Sequence, residues 1–299
     1  MIVMKFGGSS VRDAQAMKNV FSIVKKNLKR KPIVVLSACS GITDKLINLA
    51  KCSVNDENSL KSRIIDEIFT HHSQVIKDLI KDNMIKIQAN EAIKNLINEI
   101  SLLVDGISLL KECTPKSLDS VQAYGELLST TVFYYFSVDN SINSKFVDAR
   151  NFIITDSNYN FANLNFSSTK IKSNQYIIKQ LEECDTIITQ GFIGSDAEGR
   201  TTTLGRGGSD YSASIIGAAI NSDEIQIWTD VSGVLSGDPK LVNNTKTIPS
   251  LTISEIKELS YYGAKVLHPD AIKPAIQSSI SLKIRSEEHT SELQSRQVI

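Results

Sequence analysis

Cysteine is scarce and scattered in this chain. The 299 residues include four, Cys39, Cys52, Cys113 and Cys184, and no two of them form a Cys-x-x-Cys pair. That spacing argues against a zinc knuckle or a redox dithiol and leaves buried free thiols as the expectation. Charge of one sign is also lacking: 33 Lys and Arg balance 33 Asp and Glu. A general nucleic-acid or membrane-surface binder would need a basic excess, so neither partner is expected. An anionic ligand would instead need a local cluster of donors. No stretch approaches the ~20 apolar residues of a membrane span. The opening Met1-Ile2-Val3-Met4-Lys5-Phe6 is too short for a signal peptide. A soluble cytoplasmic protein is therefore the expectation. Several signatures are missing as well. There is no Gly-x-x-x-x-Gly-Lys-Ser/Thr, no His-Arg-Asp and no Asp-Phe-Gly, which argues against P-loop and protein-kinase readings. Gly205-x-Gly207 does not continue into a dinucleotide fingerprint, and no metal-ligand cluster is legible.

What is present begins with a strand, Ile2–Phe6, running into Gly7-Gly8-Ser9-Ser10. A helix is predicted from about Asp13, because Ala16, Val20, Ile23, Val24 and Leu28 share one helical face. Pro32–Leu36 reads as a buried strand. This strand–glycine loop–helix–strand opening signals a parallel α/β sheet. Residues from about Ser59 to Glu112 read as helical, with His71 and His72 inside the run as surface or packing residues. A further helix is predicted over Leu118–Phe136, then strands at Lys145–Val147 and Thr186–Thr189. A hairpin spans Gly191–Leu204, a small-residue helix runs to about Ile220, and Glu224–Thr229 is a strand. Thr252–Leu259, Gly263–Pro269, a helix to Gln277 and a strand at Ile280–Ile284 complete the pattern. With no repeat and no clear linker, a single continuous domain is expected.

Four constellations carry chemistry. In Lys5-Phe6-Gly7-Gly8-Ser9-Ser10, paired glycines after a strand let backbone N–H groups approach an anion, and Lys5 adds a point charge. A tight turn beside a surface lysine is the plainer reading. In Thr203-Leu-Gly-Arg-Gly-Gly-Ser-Asp210, Arg206 is set among three glycines at a helix start, where its fork suits a carboxylate. Helix capping explains Ser209 and Asp210 but not that arginine. Thr229-Asp230, followed by Gly237-Asp238-Pro239-Lys240, lies at a strand's carboxyl end, where open α/β sheets bind ligands. Last comes Gly263-Ala-Lys-Val-Leu-His-Pro269, in which Lys265 is the better phosphate candidate and His268 reads as structural.

Lys5–Val11, Val34–Thr43, Tyr124–Leu128, Phe146–Arg150, Thr189–Gly194, Thr203–Ser212, Ile227–Pro239 and Gly263–Pro269 occur in the order seen in aspartate kinases. Over residues 1–284 the chain resembles the catalytic domain of that family, within the amino acid kinase superfamily. The resemblance implies a three-layer αβα sandwich with a mainly parallel central sheet. It implies transfer of the ATP γ-phosphate to the side-chain carboxylate of L-aspartate, with Mg²⁺ held mainly by the phosphates and no dedicated protein metal site. That reaction opens the lysine, threonine and methionine branch of amino-acid biosynthesis. A homo-oligomer is implied for the full-length enzyme.

By the same resemblance Lys5, Asp210 and Lys265 are catalytic, with Asp210 organising the lysines. Lys5, Phe6, Gly7, Gly8, Ser9, Thr229, Asp230, Leu235, Lys240, Lys265 and Val266 match nucleotide-site positions. Ser37, Thr43, Glu126, Phe192, Thr203, Arg206, Gly207, Gly208 and Ser209 match the aspartate site, with Glu126 pairing with the α-ammonium and Arg206 with the α-carboxylate. Leu235 stands where relatives often carry a larger residue, and Lys240 where Arg is common. Alternatives are a kinase acting on glutamate, acetylglutamate or carbamate, the kinase portion of a bifunctional enzyme with homoserine dehydrogenase, or a silent regulatory chain. The ACT domains that usually follow the kinase domain are not expected in these residues. From Arg285 on, Ser286-Glu-Glu-His-Thr-Ser-Glu-Leu-Gln-Ser295 resembles a translated sequencing adapter, so residues 285–299 are read as foreign to the domain.

Overall fold

The computed structural model describes residues 1–229, 255, 258, 269–287 and 296–298. Its centre is a seven-stranded sheet. In chain order the strands are β1 (Ile2–Phe6), β2 (Pro32–Leu36), β3 (Ser144–Phe146), β4 (Thr186–Gln190), β7 (Glu224–Thr229), β8 (Ser281–Ser286) and β9 (Arg296–Val298). Their spatial order is β3-β4-β2-β1-β7-β8-β9, and a separate hairpin pairs β5 (Ile193–Ser195) with β6 (Thr201–Thr203). The sheet pairings are parallel except that of β8 with β9. β2 and β4 are buried along their whole length. Unbroken apolar runs such as Pro32-Ile-Val-Val-Leu36 are what a parallel strand covered on both faces requires.

The two faces can be assigned from register. Phe6 pairs with Trp228 and Leu36, and Leu36 pairs with Gln190, so these side chains share one face. On that face the Phe6 and Trp228 rings stack at 5.9 Å, and Gln190 donates to Thr130 on α6 (Tyr124–Asp139). α1 (Ala14–Lys26) joins α6 there through Phe21 against Phe133 and Phe136. α2 (Ile42–Val54), α3 (Asn58–Leu79) and α4 (Asn83–Leu110) pack outside α6. The opposite face holds Ile225, whose side chain fills the notch left by Gly217 on α9 (Gly208–Ile220). Lys5 pairs with Ile227, two residues on from Ile225, so Lys5 also faces α9. α7 (Phe166–Ser173) and α10 (Lys273–Gln277) pack around α9, while α8 (Lys179–Leu181) lies beside β4. This is the expected αβα sandwich.

Local signals explain most boundaries. Asp13 caps α1 by accepting from the Ala16 N–H at 2.8 Å, and Met17, Val20, Phe21, Ile23 and Val24 form its buried face. The run predicted as helical from Ser59 to Glu112 is two helices. Ile80 is extended, and Asp82 caps α4 through the N–H groups of Met84 and Ile85. The helix predicted over Leu118–Phe136 is also two, because Thr114 and Pro115 start α5 (Pro115–Gln122) before α6 begins. β8 extends to Ser286, two residues beyond the predicted end of its strand, and β9 falls within the segment read as foreign. The predicted elements at Thr252–Leu259 and Gly263–Pro269 lie almost wholly outside the described residues.

Candidate active site

The parallel strands end together, so the loops after β1, β2 and β4 meet at one edge of the sheet, where this architecture binds ligands. The Gly7-Gly8 turn is tied to the β2 loop: Ser40 N–H donates to the Gly8 carbonyl at 3.1 Å, and Ser37 N–H to the Phe6 carbonyl at 3.2 Å. The approach is close enough that a Cβ on Gly8 would lie 2.8 Å from the Ala38 carbonyl oxygen. The Gly191 N–H donates to Leu36, bringing the β4 loop alongside. α9 starts beneath these loops. Gly207 caps it with φ 72°, a left-handed conformation that a side chain would strain. The first turn of α9 thus presents its N–H groups toward the same edge.

A cavity of about 280 Å³ lies where these loops meet, lined by Lys5, Gly7, Gly8, Ser37, Thr43, Glu126, Phe192, Gly205, Gly207, Gly208, Ser209 and Asp210. Eleven of these twelve are residues singled out from the sequence, and Gly205 is the addition. The Lys5 ammonium sits 2.6 Å from Asp210 Oδ1. Oδ1 accepts no hydrogen bond among the described residues, so this is a charge pair. Glu126 is 3% exposed. Its Oε1 accepts from the Ala38 N–H at 3.1 Å, while Oε2 has no partner among the described residues. Burial pushes the Glu126 carboxyl up to about 8, against the opposing pull of the Ala38 N–H.

Other predicted residues fall elsewhere. Phe6 is buried beneath the loop, stacked on Trp228, and Ser9 lies in a short turn that does not reach the cavity. Thr229 ends β7. Arg206 has an exposed side chain, although Gly205 and Gly207 on either side line the cavity. Thr203 is turned away from the cavity: its N–H and hydroxyl both donate to Asp119, at 2.9 and 2.8 Å. Asp230, Leu235, Lys240, Lys265 and Val266 lie outside the described residues, as does His268.

Asp119 is the residue that sequence reasoning missed. It is fully buried on α5, and it also accepts from the Asn160 N–H, so one carboxylate joins α5, the 160 loop and β6. Burial raises its carboxyl, with those donors working against the rise. An acid between Leu118 and Val121 on a half-buried helix was the available signal. Asp119→Ala would leave buried N–H groups unpaired and is expected to cost about 2–4 kcal/mol, read as a lower urea midpoint at an unchanged slope.

A parallel sheet whose carboxyl edge carries a glycine turn, a lysine and a helix N-terminus around a small polar cavity defines a phosphate-handling α/β protein. Comparison narrows this. Residues 1–286 match the amino acid kinase family, and the chain belongs to it. It is 34% identical over 286 residues to lysine-sensitive aspartokinase 3 of Escherichia coli (strain K12), covering 96% of this chain and 61% of that protein. It is 32% identical over 295 residues to the bifunctional aspartokinase/homoserine dehydrogenase of Buchnera aphidicola, covering 96% of this chain and 35% of that one. Among solved structures it resembles E. coli aspartokinase III in complex with aspartate and ADP, with a TM-score of 0.86, 33% identity, and coverage of 96% of this chain and 62% of the other. The chain therefore spans less than two thirds of the length of these relatives. No described helix is long and apolar enough to cross a membrane.

Proposed function

We propose that this chain is the catalytic region of an aspartate kinase, transferring the γ-phosphoryl group of ATP to the side-chain carboxylate of L-aspartate to give 4-phospho-L-aspartate and ADP. One observation carries the reading. The same small cavity holds a buried carboxylate oxygen without a partner, on Glu126, and a lysine with a helix N-terminus, at Lys5 and α9. The first suits an ammonium and the second a phosphoryl group. Substrates of the aspartokinase relatives carry both when bound side by side.

The nucleophile needs no general base, because an aspartate side chain with a pKa near ~3.9 is already ionised at neutral pH. The difficulty is bringing one anion against another, so catalysis rests on position and charge. Glu126 holds the substrate ammonium. Ser37, Thr43 and Ser209 offer hydroxyls to its carboxylates. Arg206 clamps the α-carboxylate from the solvent side, which requires its exposed side chain to fold inward as substrate binds. Lys5, positioned by Asp210, neutralises charge on the transferring group, and the Gly7-Gly8 turn and the α9 N-terminus cradle the phosphates. Thr229, Asp230, Leu235, Lys240, Lys265 and Val266 form the nucleotide side. Mg²⁺ bound to the phosphates would supply further charge neutralisation there. The residues fit that arrangement: of the two carboxylates lining the cavity, Asp210 pairs with Lys5 and Glu126 is buried against Ala38, so neither belongs to a metal cage.

Glu126 also separates this reading from two of its rivals. Acetylglutamate and carbamate have no free α-ammonium to neutralise a buried carboxylate, whereas aspartate and glutamate do. Trapping the acyl phosphate with hydroxylamine across these four acids tests the assignment. Hydroxamate is expected from aspartate alone. Turnover of another acid in preference would replace the substrate, and ATP binding without turnover of any would favour a regulatory chain.

A further inference from the structure

Three side chains that the proposed reaction does not use come together behind the β2 loop. Cys39 follows Ser37 on that loop, and His71 and His72 are neighbours on α3. Their ligand atoms lie within 4.8 Å of one another. Neighbouring helical residues normally diverge, yet these two rings meet edge to face with centroids 5.1 Å apart. The sequence reading kept His71 and His72 as surface or packing residues and Cys39 as a lone buried thiol. Only the fold assembles them.

Ordinary core packing leaves one feature unexplained. The Nε2 atoms of His71 and His72 are both buried, and neither has a hydrogen-bond partner among the described residues, an arrangement native interiors avoid. His72 is fully buried, and its Nδ1 lies 2.7 Å from the Ile68 carbonyl oxygen. That contact fixes the proton on Nδ1 and leaves the Nε2 lone pair free, as metal-bound histidines are held. Lys45 and Asp13 act on His71 with opposing charge, and the Arg12 backbone beside it favours a proton on the ring. Cys39 donates to the Val11 carbonyl at 3.0 Å, and burial pushes its thiol up to about 12.

We propose that Cys39, His71 and His72 form a site for one thiophilic divalent transition-metal ion of the Zn²⁺ type. Two imidazoles and a thiolate suit such an ion, with a fourth position left for water or a small ligand. Zn–S near ~2.3 Å and Zn–N near ~2.0 Å put tetrahedral ligands roughly 3.5 Å apart, so the cluster contracts by about 1 Å on binding. Binding replaces the Cys39 S–H bond with a metal–sulfur bond and releases that proton to solvent. The ion has a route in: His71 is half-buried and lines a surface cavity of about 740 Å³ that also carries Asp66 and Glu67.

The site has a consequence for the proposed kinase and here rests on that reading. Drawing Cys39 toward α3 breaks its bond to Val11 and moves the adjoining Ala38, whose N–H holds Glu126. Occupancy therefore weakens aspartate binding.

The test is titration of Co²⁺ alone, as a spectroscopic stand-in for Zn²⁺, into the metal-free 299-residue chain. Expected are one ion per chain, intense visible bands of a tetrahedral site, a thiolate-to-cobalt charge-transfer band, and displacement by Zn²⁺. Cys39→Ser should abolish the charge-transfer band. His71→Gln, at a half-buried position, should keep the fold by circular dichroism and lower Co²⁺ affinity at least ~10-fold. Octahedral spectra without a thiolate band, or equal affinity in a folded His71→Gln chain, would overturn the site. Zn²⁺ should raise the KM for aspartate in the parent chain and not in His71→Gln. An unchanged KM with the metal bound would overturn the coupling. Failure of the kinase reading would show as no turnover with or without metal and would leave the spectra untouched.

Discussion

Lys5→Ala is expected to lower kcat by at least ~10²-fold, the scale of a lost charge stabiliser in a preorganised site. The position of Lys5 argues for a transition-state role rather than one in binding. It is the penultimate residue of a central strand, on the face toward α9, with its ammonium 2.6 Å from Asp210 and only 12% of its side chain exposed. A lysine so held cannot track a ligand far. It can meet charge that develops beside the Gly7-Gly8 turn. The KM for aspartate should accordingly move much less than kcat, because Glu126 and the loop hydroxyls are untouched.

The cost of the same change to folding should be small. Removing Lys5 leaves Asp210 without its charge partner, but Asp210 sits in the first turn of α9, where the helix dipole favours a negative side chain. Both partners also retain some exposure. A drop of about 1 kcal/mol or less is expected by urea denaturation. Lys5→Arg should not restore turnover, since a planar fork does not occupy the place of a compact ammonium. Near-normal kcat in a folded Lys5→Ala chain would remove Lys5 from the reaction.

Much of this site was legible from sequence because its parts are short-range. A glycine pair after an apolar strand and an arginine among glycines before a helix are local signatures, and parallel topology brings their loops to one edge. Strand β2 was legible as an unbroken apolar run, and β1, β4 and β7 as short β-branched or aromatic segments between turn signals. What failed depended on contacts between distant segments. The two apolar patterns within Ser59–Glu112 were legible, but the break between them is held by Asp139, whose carboxylate accepts from the Lys81 and Asp82 N–H groups 58 and 57 residues away. Thr203 matches an aspartate-site position by the family resemblance, and its hydroxyl donates to Asp119, 84 residues away. The convergence of Cys39 with His71 and His72 has no sequence spacing to reveal it. Arg206 was read as a carboxylate grip; its side chain is exposed, so the role proposed for it requires the side chain to fold inward.

Glu126→Gln should raise the KM for aspartate by about 10²-fold, the scale of losing one partner from a buried charge pair. Gln keeps an acceptor for the Ala38 N–H, so the loop should hold its place while the charge opposite the substrate ammonium is gone. The same change should make the protein more stable at alkaline pH. Glu126 in the folded chain titrates near 8, above its ordinary 4.5. Between those values the folded state retains a proton that the unfolded state has lost, so stability falls as pH rises through that window and levels off above it. Glu126→Gln removes this slope: Tm should exceed that of the parent chain at about pH 9 and match it near pH 4. Binding should carry the matching signature. An incoming ammonium ionises Glu126, so below pH 8 aspartate binding expels a proton, and KM in the parent chain should fall as pH rises toward 8. In Glu126→Gln that dependence should vanish. An unchanged KM together with a raised Tm would make Glu126 a buried structural acid and would take away the ammonium end of the proposed site.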